Sequence, residues 1–294
     1  MNVSAPSPAP ATATATVSSI TPSTELEVWR RYDDDEQRLT APVSERMLDL
    51  AGLRRGHRVL DIATGRGEPA LRAALRVAPD GHVLGTDRSA DMLAFARERA
   101  SRAGIVNLRC EATDAQTLAG VPDQAFDVAL CRWGLMYLDD PRAAIAAVRR
   151  CLLPGGLFVA AVWVEPARVS YWSMPRDVLA RHVALPPVDA AAPGTFHYAA
   201  AERLRADLVS TGFVVEHEQE MSTSAMEAST PEGLVAWCLA FGLARLLAAH
   251  PPAVRDAWER DMVDAASQWR DADGMVRLGG VTRLVVARRD ASAA

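Results

Sequence analysis

The hydrophobic and polar positions follow two alternating periods over residues 54–164. Short apolar runs predict β-strands, and stretches with apolar positions three or four residues apart predict helices. The predicted strands are RVLDI (58–62), HVLGTD (82–87), VNLRCEA (106–112), AFDVALC (125–131) and GLFVAAVWV (156–164). The predicted helices are 68–77, 89–103 and 140–151. Such a series of βαβ units predicts a parallel sheet with helices on both faces.

The pattern changes on both sides of this core. Residues 25–53 are helical in pattern, whereas residues 165–195 are rich in proline and irregular. Further helices are predicted at 199–210, about 231–249 and 253–269, with strands at 213–221 and 281–289. The predicted organisation is a disordered tail (1–24), a helical cap segment (25–53), a ligand-binding core (54–164), substrate-cap insertions (165–198 and 230–273) and the rest of the core sheet with the C terminus (199–229 and 274–294).

Composition and charge predict a soluble globular protein. The chain has 294 residues, of which 49% are hydrophobic and 23% charged. Its net charge of -5 offers no basic excess for nucleic acid or anionic membranes, and all its cations are arginine. The N-terminal segment lacks the basic and apolar regions of a signal peptide. The longest apolar stretch, 233–250, is short for a membrane span and contains Arg245, so we expect a cytoplasmic protein.

The cysteine pattern argues against a metal centre. Four cysteines occur, and none forms a CxxC pair or a Cys/His cluster. We therefore expect reduced, buried thiols, no disulfide and no metal ion. The four residues are Cys110, Cys131, Cys151 and Cys238.

A glycine-rich turn after the first strand predicts a nucleoside-binding site. Gly65, Gly67 and Ala70 satisfy the pattern G-x-G-x-x-A, and Asp87 closes the second strand 20 residues after Gly67. In an open parallel sheet such a turn lies at the carboxyl ends of the strands, where ligands bind. The motif alone fits both a nicotinamide dinucleotide and other nucleosides.

The charges around the turn favour S-adenosylmethionine (SAM). Asp61 and Glu68 flank the turn, and Pro69 removes a backbone donor at the start of the helix. Two carboxylates would repel a pyrophosphate, whereas the sulfonium and ammonium of SAM suit them. Asp87 would then accept hydrogen bonds from both ribose hydroxyls.

Several segments together resemble a class I SAM-dependent methyltransferase. VLDIATGRGEPAL, GTDRSADMLAFARERA, ATDAQTL, FDVALCRWGLMYLDDP and LLPGGLFVAAVW follow one another at the right separations. More narrowly, they are similar to the ubiquinone/menaquinone C-methyltransferase (UbiE-like) branch and its small-molecule natural-product relatives. The resemblance spans about residues 29–163. It implies a Rossmann-like α/β fold with a seven-stranded, mostly parallel sheet whose last strand is antiparallel, plus helical cap insertions.

The resemblance also implies the cofactor contacts. Asp61 would lie near the methionine ammonium, Asp87 on the ribose and Met92 on the adenine. Asp114, with Ala115 beside it, would hold the adenine amino group, and Arg132 would line the pocket mostly through its backbone. The cofactor-binding set it implies is Asp61, Ala63, Gly65, Gly67, Asp87, Arg88, Met92, Asp114, Ala115 and Arg132. The bound product would be S-adenosylhomocysteine (SAH).

The acceptor site is predicted to be aromatic and dry, because methyl transfer is an in-line displacement that depends on positioning. The substrate candidates are Trp29, Tyr32, Trp133, Tyr137, Trp163, Phe196 and Trp237. Bases are scarce: His197 and Tyr198, just before a helix, are the catalytic candidates, whereas the other histidines are at strand starts, helix ends or the surface. An electron-rich carbon such as indole C3 needs little basic help.

The sequence therefore predicts a metal-independent SAM-dependent methyltransferase. Its acceptor is a small apolar or aromatic metabolite of phenol, quinol or indole type, with C-methylation slightly favoured over O- or N-methylation. The insertion between the last two strands favours a secondary-metabolism relative. Two alternatives stay open at this point: an NAD(P)-dependent oxidoreductase, and a SAM-binding cyclase or regulatory protein without methyl transfer. The oligomeric state is not predicted.

Overall fold

The computed structural model describes residues 22–290. The predicted disordered tail, 1–24, falls mostly outside them, since only residues 22–24 are described and these begin a helix. Within residues 22–290, no helix is long and apolar enough to cross a membrane.

A seven-stranded sheet forms the centre of the molecule. Its strands are β1 (Arg58–Ile62), β2 (His82–Asp87), β3 (Leu108–Ala112), β4 (Phe126–Arg132), β5 (Leu152–Trp163), β6 (Phe213–Ala228) and β7 (Val276–Arg289). They lie in the order β3-β2-β1-β4-β5-β7-β6. The pairs β1–β2, β2–β3, β1–β4 and β4–β5 are parallel, and β7 is antiparallel to both neighbours. The predicted sheet with an antiparallel last strand is confirmed.

Helices cover both faces of this sheet. They are α1 (Pro22–Leu50), α2 (Ala70–Val77), α3 (Ala90–Arg102), α4 (Pro141–Cys151), α5 (Ser170–Leu179), α6 (Ala201–Ser210), α7 (Pro231–Cys238), α8 (Ala244–Ala248) and α9 (Pro252–Ser267). A π-helical turn at Leu239–Leu243 joins α7 to α8. One face of the sheet packs side chains of α4 and α6, and the other packs α2 and the second half of α1.

Local capping residues set the helix starts. The Ser89 side chain accepts a hydrogen bond from the Met92 N–H, so α3 begins at Ala90. The Asp140 carboxylate accepts one from the Ala143 N–H, and α4 begins with a proline at its first position. Helix α2 begins two residues later than the pattern predicts, because Glu68 and Pro69 still belong to the preceding turn.

The last two strands extend beyond the sheet as a two-stranded ribbon. Both are longer than predicted: β6 continues to Ala228, and β7 begins at Val276, its partner. The sequence pattern missed this part of β7 because it contains Gly279 and Gly280, and glycine is rare in strands. A Cβ at Gly279 would lie 2.1 Å from the Thr223 carbonyl oxygen, so this close crossing of the two strands needs glycine.

The ribbon and the cap helices together form a second hydrophobic core. Val276 and Leu278 of β7 are fully buried and pack with side chains of α5, α7 and α9. Trp258 of α9 is also fully buried, and its indole N–H donates to the Pro175 carbonyl of α5 at 2.9 Å. The two segments predicted as cap insertions therefore pack on each other beside the sheet.

Candidate functional site

A tight turn joins β1 to α2 at the carboxyl edge of the sheet. Gly65 and Gly67 have φ angles of +53° and +96°, at which residues other than glycine are disfavoured. A Cβ at Gly67 would lie 3.0 Å from Leu71 Cδ1 and 3.2 Å from Ala96 Cβ, so this glycine lets the turn pack against α2 and α3. A Cβ at Gly65 would meet open space, which leaves the backbone there accessible to a ligand.

Asp61 is the fourth residue of strand β1, and only one of its two carboxylate oxygens accepts hydrogen bonds within residues 22–290. The side chain is fully buried, and Oδ2 accepts hydrogen bonds from Thr64 Oγ1 at 2.5 Å and from the Ala70 N–H at 3.1 Å. Oδ1 is buried and has no hydrogen-bond partner within residues 22–290. Burial raises the pKa of Asp61 to about 7, although Thr64 and Arg132 oppose the shift. A buried, unsatisfied carboxylate oxygen suits a cationic hydrogen-bond donor on a ligand.

Asp87, at the end of β2, fixes the same turn from the other side. Its Oδ2 accepts the Gly65 N–H at 2.8 Å, and its Oδ1 accepts the Ser89 N–H at 2.9 Å. Each carboxylate oxygen keeps a second lone pair for a ligand hydroxyl. Asp61 and Asp87 are therefore both organised by backbone donors of this one turn.

Two cavities follow the strand ends, and both are bordered by Ala63 and Trp133. The larger has a volume of about 410 Å³ and is lined by residues after β2, β3 and β4, among them Asp87, Arg88, Asp114, Ala115, Tyr137 and Leu138. The smaller has a volume of about 270 Å³ and lies between the glycine turn and α1; it is lined by Trp29, Glu36, Gly65, Arg66, Met92 and Arg132, among others. Most of the predicted cofactor-binding residues thus surround these two cavities.

The residues expected near the adenine do not all line the same cavity. Asp114 is exposed at the rim of the larger cavity, and its Oδ1 accepts the Gln116 N–H at 2.9 Å. Ala115 beside it is buried. Met92, which the resemblance sets against the adenine, instead lines the smaller cavity.

The Arg132 side chain, at the end of β4, is anchored to α1. Its guanidinium is buried, with 7% of the side chain exposed, and donates to Thr40 Oγ1 at 2.8 Å and Ser44 Oγ at 3.1 Å. It also lies 3.7 Å from a carboxylate oxygen of Glu36. These partners are all on α1, so Arg132 ties this helix to the end of β4.

A buried ionic network continues from Arg132 across the turn. Arg66 of the glycine turn pairs with Asp33 and Glu36 of α1, and its guanidinium lies 4.2 Å from the Trp29 ring centre. Burial raises the pKa of Glu36, but the Arg132 and Arg66 guanidiniums outweigh this and hold that pKa below its usual range. Sequence analysis missed this network, because its partners are about 30 or more residues apart and no short spacing marks them.

The position of Glu68 changes the charge argument made from the sequence. Its carboxylate pairs with Arg99 at 3.0 Å and with Arg72 at 3.1 Å. The negative charge of Glu68 is thus balanced by an arginine of α2 and an arginine of α3. The preference for a cationic ligand therefore depends on Asp61. The i,i+4 spacing of Glu68 and Arg72 was the sequence signal for this pairing.

Trp133, which borders both strand-end cavities (the candidate cofactor cavities), stacks on a second tryptophan. The rings of Trp133 and Trp163 are 4.6 Å apart and nearly parallel, and the Trp133 indole N–H donates to Thr282 Oγ1 at 2.9 Å. Trp133 has a φ of +56°, a strained conformation for a bulky residue that is most often found at functional sites. Trp163 also touches Tyr171 of α5, with 5.1 Å between ring centres.

The other aromatic candidates divide between cavity walls and packing. Trp29 lines the smaller cavity, and Tyr137 lines the larger one with its hydroxyl 3.1 Å from Thr195 Oγ1. Tyr32 stacks on Trp237 at 4.6 Å, and Trp237 is buried in the core of the cap helices. Neither of these two lines the cofactor cavities.

The structure corrects the expected position of the catalytic candidates. Tyr198 is fully buried, and its hydroxyl donates to Asp207 Oδ2 at 2.9 Å, so it faces α6. Burial, and then Asp207, raise the pKa of Tyr198 far above its usual value. His197 Nδ1 lies 3.1 Å from the Ala192 carbonyl oxygen. Phe196 is buried edge-on against Trp172. None of the three lines the cofactor cavities, because this segment packs onto the sheet instead of over its edge.

The cap contains a third cavity, of about 220 Å³, between α5 and the helices α7 and α8. Its walls include Tyr171, Trp172, Arg176, Met226, Phe241 and Leu246. None of these wall residues is among the substrate candidates predicted from the sequence.

The thiols of the protein are buried, and no metal-binding cluster is found among the described residues. All four cysteines are buried and free, and burial raises the pKa of Cys131 to about 12. Within residues 22–290, no three histidine, cysteine, aspartate or glutamate side chains gather as a metal ion would require.

Comparisons with known proteins agree with this architecture. The methyltransferase domain family matches residues 53–180. Over 184 residues the chain is 32% identical to the demethylmenaquinone methyltransferase of Thermus thermophilus, covering 59% of this chain and 81% of that protein. Over 175 residues it is 35% identical to the ubiquinone/menaquinone biosynthesis C-methyltransferase UbiE of Cupriavidus taiwanensis, covering 57% of this chain and 68% of that one. The chain spans about half the length of other curated UbiE proteins that it matches.

Among solved structures, the [4+2]-cyclase SpnF is similar to this chain. The TM-score is 0.54 at 22% identity, with 86% of this chain and 82% of that one covered. At this identity the likeness concerns the fold alone.

Proposed function

We propose, from the premise that this chain belongs to the class I SAM-dependent methyltransferases of the UbiE type, that it transfers the methyl group of SAM to a small aromatic acceptor. The two cavities at the strand ends would hold the cofactor, and the acceptor would lie on the side of the stacked tryptophans.

The observation that carries this proposal is the free oxygen of Asp61. A buried carboxylate oxygen without a partner is costly, and an ammonium donor would satisfy it. The methionine part of SAM carries such a group. A dinucleotide would instead bring a pyrophosphate to this turn, where Asp61 would repel it.

The other residues of the site fit the same ligand. The second lone pairs of the Asp87 oxygens are available to the ribose hydroxyls, and the open space over Gly65 admits the ligand close to the backbone. Asp114 and Ala115 line the larger cavity, where the adenine would lie. When bound, SAM supplies an electrophilic methyl group on its sulfonium. The chain's own residues then have to position the acceptor and exclude water.

We favour a carbon atom of an electron-rich ring as the acceptor. One relative is named a C-methyltransferase of ubiquinone/menaquinone biosynthesis, and another is named a demethylmenaquinone methyltransferase. Neither His197 nor Tyr198 lines the cofactor cavities or the cap cavity. A weakly acidic heteroatom would need a base there, whereas the carbon of a quinol, phenol or indole ring needs little basic help. We also propose a role in secondary metabolism, because the cap helices α7 to α9 form the insertion between β6 and β7.

Incubation with SAM labelled in its methyl group and a panel of quinols, phenols and indoles tests this proposal. We expect label on a ring carbon, identified by nuclear magnetic resonance. Tyr198→Phe should keep the rate of transfer, since that hydroxyl only donates to Asp207. Label on oxygen would refute C-methylation, and SAM binding without transfer to any acceptor would favour the cyclase or regulatory alternative.

A further inference from the structure

The cap cavity has one cation in an otherwise apolar wall. Helix α5 presents two pairs of residues to it at i,i+4 spacing: Tyr171 with Pro175, and Trp172 with Arg176. Side chains of β6 and of the α7–α8 region form the opposite wall, namely Met226, Cys238, Phe241, Leu243 and Leu246. No acidic residue is among these wall residues.

Arg176 differs from the other arginines in its surroundings. Within residues 22–290, its guanidinium forms no hydrogen bond or ion pair, yet the residue is half-buried. The other arginines of this range that lack such partners are exposed: Arg31, Arg88, Arg181, Arg245 and Arg260. A half-buried cation without a counter-charge lowers stability unless a ligand supplies one.

The stacking of Arg176 leaves its donors free. Its guanidinium carbon lies 4.5 Å from the ring centre of Trp172, so the face of the group is covered. The N–H donors lie in the plane of the guanidinium and stay available to a planar anion. Burial lowers the pKa of Arg176 from its usual value, and the neighbouring Asp177 only partly opposes this. The shift has the direction expected for a cation that lacks a partner.

Aromatic contacts link this cavity to the cofactor site. Tyr171 lines the cap cavity and touches Trp163, which stacks on Trp133 at the border of both cofactor cavities. Burial raises the pKa of Tyr171 well above its usual value, and the nearby Tyr137 phenol adds to the shift. Tyr137 itself lines the larger cofactor cavity. The rings of Tyr171 and Trp163 thus stand between the cap cavity and Trp133, and the cap cavity shares no lining residue with either strand-end cavity.

We infer that the cap cavity binds a second small molecule, an aromatic ring bearing a carboxylate, and that Arg176 selects it. This inference goes beyond the proposed methyl transfer, because an acceptor in contact with the methyl group of SAM cannot lie behind these rings. Cavities of about 150 Å³ bind benzene, so about 220 Å³ accommodates one substituted ring, with the apolar walls on its faces. The carboxylate would accept two parallel hydrogen bonds from Arg176.

Calorimetry on pairs of probes tests the carboxylate selection directly. The probes are 4-hydroxybenzoate, 1-hydroxy-2-naphthoate and indole-3-acetate, each against its methyl ester, titrated into the protein with and without SAH. At least one acid should bind more tightly than its ester. In Arg176→Gln that acid should lose about 10- to 100-fold in affinity while its ester is unchanged. Arg176→Lys should recover part of the loss, because it keeps the charge but not the planar fork.

Arg181→Gln is the matched control, since Arg181 is an exposed arginine without a partner just beyond α5. It should bind the acids as the wild type does. Equal binding of acid and ester by the wild type would overturn the inference, as would an unchanged acid-to-ester ratio in Arg176→Gln. Binding is measured without turnover, so the two proposals can fail separately: selective acid binding without methyl transfer would refute the proposed function alone.

Discussion

At the scale of single residues, the proposed choice of ligand depends on the free Oδ1 oxygen of the buried Asp61. Its place after an apolar run and before two glycines predicts a carboxylate at the ligand-binding edge of the sheet. The number of its oxygens that stay free depends on Thr64 and Ala70, whose donors reach only one of them. The counter-charge on Glu68 comes partly from Arg99, 31 residues away. Pairings over such distances are set by helix packing, which a local pattern does not contain.

The raised pKa of Asp61 predicts how stability depends on pH. The usual pKa is 3.8 and the folded value is about 7, so between these pH values the folded state binds a proton that the unfolded state has lost. This group's contribution to the free energy of unfolding therefore falls as pH rises through that window, by up to about 1.4 kcal/mol per pH unit. Affinity for SAM should rise over the same range, since the ionised carboxylate binds the ammonium.

Asp61→Asn is the variant that isolates this effect. Urea unfolding of the ligand-free protein between pH 4 and pH 8 should show a shallower decline for the variant than for the wild type, and SAM binding should be weak at every pH. Parallel stability curves for the two proteins would show that Asp61 does not titrate in this window.

At the scale of elements, α1 and the glycine turn depend on each other. The pattern over residues 25–53 predicts the helix, and the structure has one at Pro22–Leu50. Its attachment to the site comes from buried charges: Arg66 with Asp33 and Glu36, and Arg132 with Thr40 and Ser44. The first part of β7 was not predicted, because Gly279 and Gly280 are untypical of a strand. The structure needs glycine there, because β6 and β7 pack too closely for a side chain at Gly279.

Removing Arg66 should therefore cost much stability. Arg66→Ala leaves the nearly buried Asp33 and Glu36 with only the longer arginine contacts, to Arg99 at 3.5 Å and to Arg132 at 3.7 Å, and loss of one member of a buried pair costs about 3–5 kcal/mol. The measurement is the urea unfolding midpoint at pH 7. The control is Arg102→Ala, which removes an exposed pair with Glu98 on α3 and should leave the midpoint nearly unchanged. Equal losses in the two variants would mean that the network does not hold α1.

At the scale of the whole molecule, the number and the directions of the strands were the most predictable features. Alternating βαβ patterns and the family resemblance together predict the seven strands and the antiparallel β7. The arrangement of the cap could not be predicted, because its helices are amphipathic without a motif that fixes their partners. Consequently His197 and Tyr198 were expected near the cleft, whereas the fold turns Tyr198 toward Asp207. Trp133 and Trp163 were expected at strand ends, and there they stack as the border between core and cap.

The central claim is that the turn between β1 and α2 binds SAM, and one calorimetric comparison tests it most directly. SAH and NADH are titrated into the wild type, into Asp87→Ala and into Asp91→Ala, an exposed carboxylate control in the first turn of α3. We predict that the wild type and Asp91→Ala bind SAH and bind NADH far more weakly. Asp87→Ala should lose at least about tenfold in SAH affinity, since each hydrogen bond to a charged group contributes about 1.5–3 kcal/mol. Tighter binding of NADH than of SAH, or unchanged SAH affinity in a folded Asp87→Ala protein, would contradict the account.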